Sequence, residues 1–411
     1  MSSSNRGRKL PLAPRAPKAK RNMPLADAAR PVDLAMQPIL AVWEITLACD
    51  LACRHCGSRA GRARSDELTT EECFDLVDQL AELGIFEVAL IGGEAYLRDD
   101  WCQIVARIGE RGMEALLTTG GRGFTPERAE KAAAAGLSTV SVSLDGLRPT
   151  HDSLRNAVGS YDAAIAAMRN ARAAGIPVST NTQINRLSMP DLPELLEIII
   201  DEGAHSWQIQ ITVAMGRAAD DVDMLLQPYD LLELYPMLDK LADRCREVDV
   251  LLWPGNNIGY FGPYETKFRG TTPQGHMNHC GAGRGGIGIE SDGTIKGCPS
   301  LATATWGGGN IRDNRLIDIF HRSPQLRHMR DRTVDDLWGF CRTCYYADDC
   351  RAGCTWTGES LLGKPGNNPM CHHRALEFER QGKRERLVQV ERAPGVPFDY
   401  GRFELVVEPL P

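Results

Sequence analysis

From residue 40 to residue 213 the chain alternates between short apolar runs and amphipathic segments that stop at glycine. Residues 40–47 read as a buried strand. Thr69-x-x-Glu72 forms a capping box, and Phe74, Val77, Leu80 and Leu83 follow at helical spacing up to Gly84. Phe86, Val88 and Leu90 alternate as a strand that runs into Gly92-Gly93-Glu94. A helix over 99–111 and a strand over 114–119 come next. Thr125 then caps a helix with Pro126 at its first position, and Gly136 closes it. The pattern predicts further strands at 138–144, 177–184 and 206–213, separated by helices at 160–174 and 191–202. Such alternation requires a parallel sheet wound with right-handed crossovers. The fold class is therefore α/β, and six strands suit a partial (β/α)6 barrel better than a complete eight-stranded one. A helix over 228–247 ends this unit, which spans 38–248.

Polar or glycine-rich groups follow the C-terminal ends of these strands. They are Cys49 to Cys56, Gly92-Gly93-Glu94, Thr118-Thr119-Gly120, Ser143-Leu144-Asp145 and Asn181 to Asn185. In barrels the active site lies at that face.

The flanks read differently. In the first thirty residues Arg6, Arg8, Lys9, Arg15, Lys18, Lys20, Arg21 and Arg30 face only Asp27, so 1–37 has the composition of a basic, disordered tail. A solvated tail is the plain reading, and contact with an acidic partner the other. Residues 251–279 look like a long loop, with Tyr260, Tyr264 and Glu265 as candidate substrate contacts beside the plainer reading as loop or core. Residues 287–290 and 294–296 flank Ser-Asp-Gly, a hairpin signal. A second unit thus spans 249–384 and ends in a helix near 371–384; 385–411 read as a tail or short packing segment.

The overall charge of −7 argues against a nucleic-acid binder. No apolar run reaches the roughly 20 residues of a membrane span. The N-terminus lacks a secretion signal, so the expected location is cytoplasmic.

Cysteine is the anomaly. Ten of the thirteen fall in two groups, and in a chain without a secretion signal grouped cysteines read as metal ligands. Cys73, Cys102 and Cys245 sit in helical patterns as small core hydrophobes. Three thiols spaced C-x3-C-x2-C at Cys49, Cys53 and Cys56 are short for tetrahedral zinc. They suit a cubane 4Fe–4S cluster with one iron left open. In the second group, Cys341-x2-Cys344-x5-Cys350-x3-Cys354 taken alone also admits one structural zinc.

Cys-x3-Cys-x2-Cys after the first strand, followed by Gly-Gly-Glu after the second, resembles the radical S-adenosylmethionine (SAM) superfamily. The C-terminal half resembles that superfamily's SPASM module. It has Cys280, Gly293-x4-Cys298, then Cys341-x2-Cys344-x5-Cys350-x3-Cys354-x16-Cys371. Together the two resemblances cover about residues 40–375.

The resemblance implies that Cys49, Cys53 and Cys56 hold the catalytic cluster. It places His55 against the adenine of SAM. Glu94, with the backbone of Gly92 and Gly93, would receive the methionyl ammonium, and Ser143 and Asp145 would contact the ribose. Two auxiliary 4Fe–4S clusters are implied as well, making three. Cys341, Cys344, Cys350 and Cys371 would hold the distal one, and Cys280, Cys298 and Cys354 the nearer one. Some members carry a further cysteine between the positions of Cys280 and Cys298; residues 281–297 contain none, leaving the fourth ligand of the nearer site open.

The implied activity is reductive cleavage of SAM to a 5′-deoxyadenosyl radical that abstracts hydrogen from the substrate. Members with this module mostly act on peptides or proteins, forming crosslinks, oxidising or decarboxylating. The stretch His279-Cys280-Gly281-Ala282-Gly283-Arg284 resembles several peptide maturases. Peptide maturation is therefore the expectation, with a reductant such as flavodoxin or ferredoxin. No winged-helix leader-binding domain fits the first forty residues, so a leader would dock on the barrel or the C-terminus, or on a separate protein. Pro299 stands where sulfatase-activating members place an Asp, and the general base is not assigned by the sequence. The alternatives are a radical SAM enzyme acting on a sugar or cofactor precursor, and a non-enzymatic iron–sulfur electron carrier.

Overall fold

The computed structural model describes residues 38–259, 261–269 and 280–411. The basic segment 1–37, Tyr260 and His279 lie outside the described residues.

Six parallel strands follow the expected order: β1 Leu40–Glu44, β2 Glu87–Ile91, β3 Glu114–Thr119, β4 Thr139–Ser143, β5 Val178–Ile184 and β6 Ser206–Ile211. Each pairs in parallel with the next. Helices Thr70–Leu83, Trp101–Glu110, Pro126–Ala134, Ser160–Ala173 and Leu192–Asp201 return the chain between them. The Thr69 capping box forms as the sequence dictates, with Thr69 and Glu72 each satisfying the other's backbone N–H.

Side-chain alternation sorts the two faces of this sheet. On β1 Ala41 and Trp43 are fully buried with the helical layer, and on β4 Val140 and Val142 do the same. The opposite face carries Glu44, Ser141, Ser143, Asn181, Gln183, Gln208 and Gln210 at the alternate positions, together with Val42, Ala89, Ile91 and Leu116. The curved sheet thus has an apolar outside and a lumen whose polar side chains come mainly from β4 to β6, the condition for a site inside it.

The expected long loop over 251–279 is overturned at two places. Leu251–Pro254 is a seventh parallel strand, β7, paired with β6, and Glu265–Arg269 is a short helix. The run is short and ends in proline, so it carries little strand signal of its own; the exposed edge of β6 supplies it. Tyr264 stacks on His372 at 5.7 Å between centroids, and buried Glu265 pairs with Arg269 at 3.4 Å. Both serve packing, and neither lines the cavity described below.

On the other edge the hairpin expected near 287–296 forms as β8 Gly286–Ile289 and β9 Thr294–Lys296. β8 adds to β1 in parallel, so the cysteine-rich unit continues the barrel sheet. With β10 Gly309–Asn310 the sheet reaches ten strands. The segment read as a tail or short packing segment packs as a second sheet: β11 Lys383–Glu391 and β12 Arg402–Pro409 pair antiparallel. It is anchored by a buried Arg374–Glu385 pair at 2.6 Å and by Gln227, whose side chain bonds the backbone of Leu387 in both directions. Among the described residues no helix is long and apolar enough to cross a membrane.

Candidate active site

The loop after β1 carries Cys49, Cys53 and Cys56 to the C-terminal end of the barrel. Its shape is held from across the sheet. Arg217 donates to the carbonyls of Cys53 at 2.7 Å and Ala60 at 3.1 Å, and its backbone N–H donates to Cys56. Gly216 (φ +58°) lies so close beneath the loop that a Cβ there would come within 2.4 Å of the Cys56 carbonyl oxygen. The charges of the three thiols act on one another. Burial pushes the Cys49 thiol up to about 12, and the charges of Glu94, Cys53 and Cys56 add to that rise.

Gly-Gly-Glu packs directly on this loop. Gly93 donates to the Thr46 carbonyl and Glu94 to the Ala48 carbonyl. A Cβ on Gly93 would sit 2.0 Å from the Ala48 oxygen and 2.8 Å from Cys49 Cβ. Glycine is required here because two backbones touch. Glu94 is buried, and its oxygens accept from Thr119 Oγ1 at 2.6 Å and the Gly120 N–H at 2.7 Å. Burial raises its carboxyl to about 7 in spite of those donors.

Behind Cys53 lies a buried charged group. Arg155 Nη1 donates to Cys53 Sγ at 3.6 Å, and its Nη2 is 2.5 Å from Asp145. His55 Nε2 is 3.4 Å from the same Asp145 oxygen, whose partner oxygen accepts from the Gln183 N–H. Neighbouring Arg155, then His55 and His151, hold the Asp145 carboxyl down to about 2 against its burial. Burial lowers His55 to about 4, so its ring is neutral at physiological pH. Ser143 donates to Asn181 at 3.0 Å in the lumen. Ser143 and Asp145 are both buried and already hydrogen-bonded, so either would exchange a present partner to meet a ribose hydroxyl.

A cavity of about 180 Å³ opens beside these groups. His55, Gly92, Gln183 and Gln210 line it from the barrel, Pro299 and Ser300 from the cysteine-rich unit, and Phe398 from the β11–β12 connection. Phe398 has φ +57°, a left-handed conformation costly for a bulky residue. The Gly57 carbonyl holds it there by accepting from its N–H, and Arg59 pairs with Asp399 at 2.8 Å.

In the cap, Cys341, Cys344, Cys350 and Cys371 line one small cavity together with Phe261, Phe340, Tyr346 and His373. Cys354 does not line it. The charges that act on Cys354 are those of Cys280 and Cys298, and the latter two pack around Met329. The structure thus separates the seven thiols into a group of four and a group of three. The four cysteines of the zinc-like run are divided between them.

Sequence reasoning missed Arg155, Arg217, Glu44 and Phe398. Glu44 left a signal, a carboxylate ending a buried apolar strand. The others left none, because each meets the site through a contact distant in sequence.

A loop of three cysteines packed on a Gly-Gly-Glu turn, at the open end of a partial barrel capped by a cysteine-rich unit, defines an iron–sulfur enzyme. The donor set fits such clusters: soft sulfur ligands gathered in groups, four of them lining one cavity of the cap. Residues 43–199 match the model of the radical SAM superfamily, and residues 280–345 that of an iron-sulfur cluster-binding domain. The chain is 30% identical to the mycofactocin maturase MftC of Mycolicibacterium smegmatis over 84% of this chain and 86% of that one. It is 28% identical to an AdoMet-dependent heme synthase of Methanosarcina barkeri, over 80% and 95%. Its fold matches Streptococcus suis SuiB bound to the precursor peptide SuiA with a TM-score of 0.64, covering 82% of this chain and 76% of that one at 17% identity. The chain belongs to the radical SAM superfamily and carries a SPASM domain. It is an enzyme that uses 4Fe–4S clusters and SAM.

Proposed function

We propose that the enzyme modifies a peptide or protein, with Cys49, Cys53 and Cys56 as ligands of the SAM-binding cluster. The observation that carries the ligand assignment is the contact of Gly93 with the cysteine loop, which sets Glu94 beside Cys49. When bound there, cluster and SAM supply a 5′-deoxyadenosyl radical that abstracts hydrogen from the substrate.

The protein's own groups then divide the remaining tasks. Glu94 offers a buried carboxylate to the ammonium of SAM, and Arg155 a buried cation to its carboxylate. Gly92 and Gly93 allow close backbone approach, Ser143 faces the ribose, and His55 gives a flat neutral ring for the adenine. Asp145 holds Arg155 and His55 in place. The lumen and its cap shield the site from water, which a radical of this reactivity requires. Cys341, Cys344, Cys350 and Cys371 hold a second cluster, and Cys280, Cys298 and Cys354 a third. A flavodoxin or ferredoxin delivers the electron in the cytoplasm. A leader, where the substrate has one, docks on the described surface or arrives with a separate protein.

The similarity to mycofactocin maturase across most of both chains supports the peptide reading. The similarity to heme synthase supports a second one, a small molecule of the cofactor-precursor class. Anaerobically reconstituted enzyme should carry about twelve irons per chain for three cubanes. Reduced with dithionite, it should release 5′-deoxyadenosine from SAM, and C53A should not. Mass spectrometry of short peptides encoded beside the gene, set against a porphyrin precursor, separates the two substrate classes. Modification of the porphyrin alone would overturn the peptide reading.

A further inference from the structure

Two ionisable groups of the cavity wall, Glu44 and Glu290, are employed by neither the cysteines nor the SAM contacts. Glu44 ends β1 on the lumen face and is 3% exposed. Its Oε1 makes no hydrogen bond, and Arg64 Nη2 stands off at 3.7 Å. Arg64 is committed elsewhere: its Nη1 lies 2.8 Å from Glu290 and 3.6 Å from Asp292. Lys296 Nζ also pairs with Glu290, at 2.7 Å, and donates to the Leu301 carbonyl. Two cations therefore serve Glu290, and Glu44 beside it has an oxygen without a donor.

A carboxylate in that position is costly, because a buried charge needs partners for its lone pairs. Burial first, then the charges of Glu290 and Glu67, raise the Glu44 carboxyl to about 8 against the pull of Arg64 and Lys296. At neutral pH the group holds its proton and becomes a donor. The rest of the lining offers both apolar and polar contacts: Met215, Ile289, Trp356 and Phe398 stand beside Gln183, Gln210 and Ser300.

We propose that Glu44 is the substrate-holding donor of this cavity, its carboxyl O–H bonding an amide or carboxylate oxygen of the residue to be modified. The proposal rests on the enzyme reading above and adds the chemistry of what the site grips. An ammonium group would instead require Glu44 as an anion, and the test distinguishes the two.

Diazoacetamide is a small amide that esterifies protonated carboxyls. The carboxyl proton moves to the diazo carbon, dinitrogen leaves, and the carboxylate oxygen bonds that carbon. Reconstituted enzyme treated anaerobically at about pH 7 should carry the ester on Glu44 by peptide mass mapping, with at least a fivefold lower yield at about pH 9.5. Excess acetamide should reduce the labelling at least threefold, and methylammonium at equal ionic strength should not. The E290Q variant removes the neighbouring anion and frees Arg64 and Lys296 toward Glu44, so the pH midpoint of labelling should fall by about one unit or more. An unlabelled Glu44 at pH 7, or protection by methylammonium in place of acetamide, would overturn the proposal. Release of 5′-deoxyadenosine by the same preparation is measured alongside. Its absence counts against the enzyme reading, whereas its presence with Glu44 unlabelled counts against this proposal alone.

Discussion

Arg155 directs one guanidinium nitrogen at the sulfur of Cys53, 3.6 Å away, while Asp145 holds the other nitrogen at 2.5 Å. The pair is buried, so the charge that meets the cysteine loop is fixed from behind by a carboxylate with no exposure. Replacing Arg155 with Met leaves Asp145 and its charge buried without their main partner. Breaking such a pair costs about 3–5 kcal/mol. The expected result is a lower thermal midpoint and loss of SAM cleavage. R155K should recover part of the stability but not the forked geometry. An R155M enzyme as stable as wild type would show that Asp145 does not depend on this arginine.

Gly93 tests the contact between the turn and the loop. In G93A the added Cβ meets the Ala48 oxygen at 2.0 Å and Cys49 Cβ at 2.8 Å, both on a segment pinned by Arg217. The loop has to move, and its thiols with it. Iron content should fall by about one cluster in three, with the two sites in the cap unaffected. Full iron loading of G93A would mean that the loop accommodates the methyl group without displacing Cys49.

Much of this architecture was legible in the sequence. β1 to β6 follow from local alternation and capping, since Thr69, Gly84, Thr125 and Pro126 each act within a few residues of their own position. The cysteine groups were legible because ligand spacing is also local. What could not be read depends on distant partners. β7 exists because β6 offers an open edge, and β8 joins β1 across more than two hundred residues of chain. Helix Arg148–Arg155 was missed because Pro149 and six polar or charged residues leave Leu154 as its one large apolar side chain, yet His151, Leu154 and Arg155 turn inward from it. The β11–β12 hairpin alternates too little to announce itself, and Glu385 becomes intelligible only once Arg374 is beside it.

The raised carboxyl of Glu44 makes a prediction about stability as a function of pH. Its folded value of about 8 lies above the ordinary 4.5, so the folded state holds a proton that the unfolded chain has released. That contribution is complete below about pH 4.5 and is lost as pH rises through about 8, at about 1.4 kcal/mol per unit within the window. E44Q keeps the shape and cannot ionise. The thermal midpoint of E44Q relative to wild type should therefore improve between pH 5.5 and pH 8, at fixed scan rate. A difference that is flat with pH would show that Glu44 is already ionised at the lower end.

The C-terminal hairpin is the part of the site that no metal ligand needs, and its removal separates folding from enclosure. Phe398 enters the cavity in a left-handed conformation that its own backbone disfavours, so something must hold it there. The restraints are the Phe398 N–H to the Gly57 carbonyl, the Gly216 N–H to the Asp399 carbonyl, and Arg59 gripping the Asp399 carboxylate at 2.8 Å. Asp399 also accepts from the backbone N–H groups of Gly395 and Val396, which closes the turn on itself. D399A removes the carboxylate and leaves the buried side of Arg59 to Asp220 alone. The expected cost is about 2–4 kcal/mol, paid mostly by the connection between β11 and β12 and little by the barrel. Limited proteolysis should then cut near residues 392–401, where wild type resists. The iron content should be unchanged, since residues 392–401 contain no cysteine. SAM cleavage without substrate should rise, because a cavity open at Phe398 admits solvent and reductant. Protease resistance equal to wild type would show that the turn is held by Phe398 packing and not by the Arg59–Asp399 pair, and F398A would then be the variant that releases it.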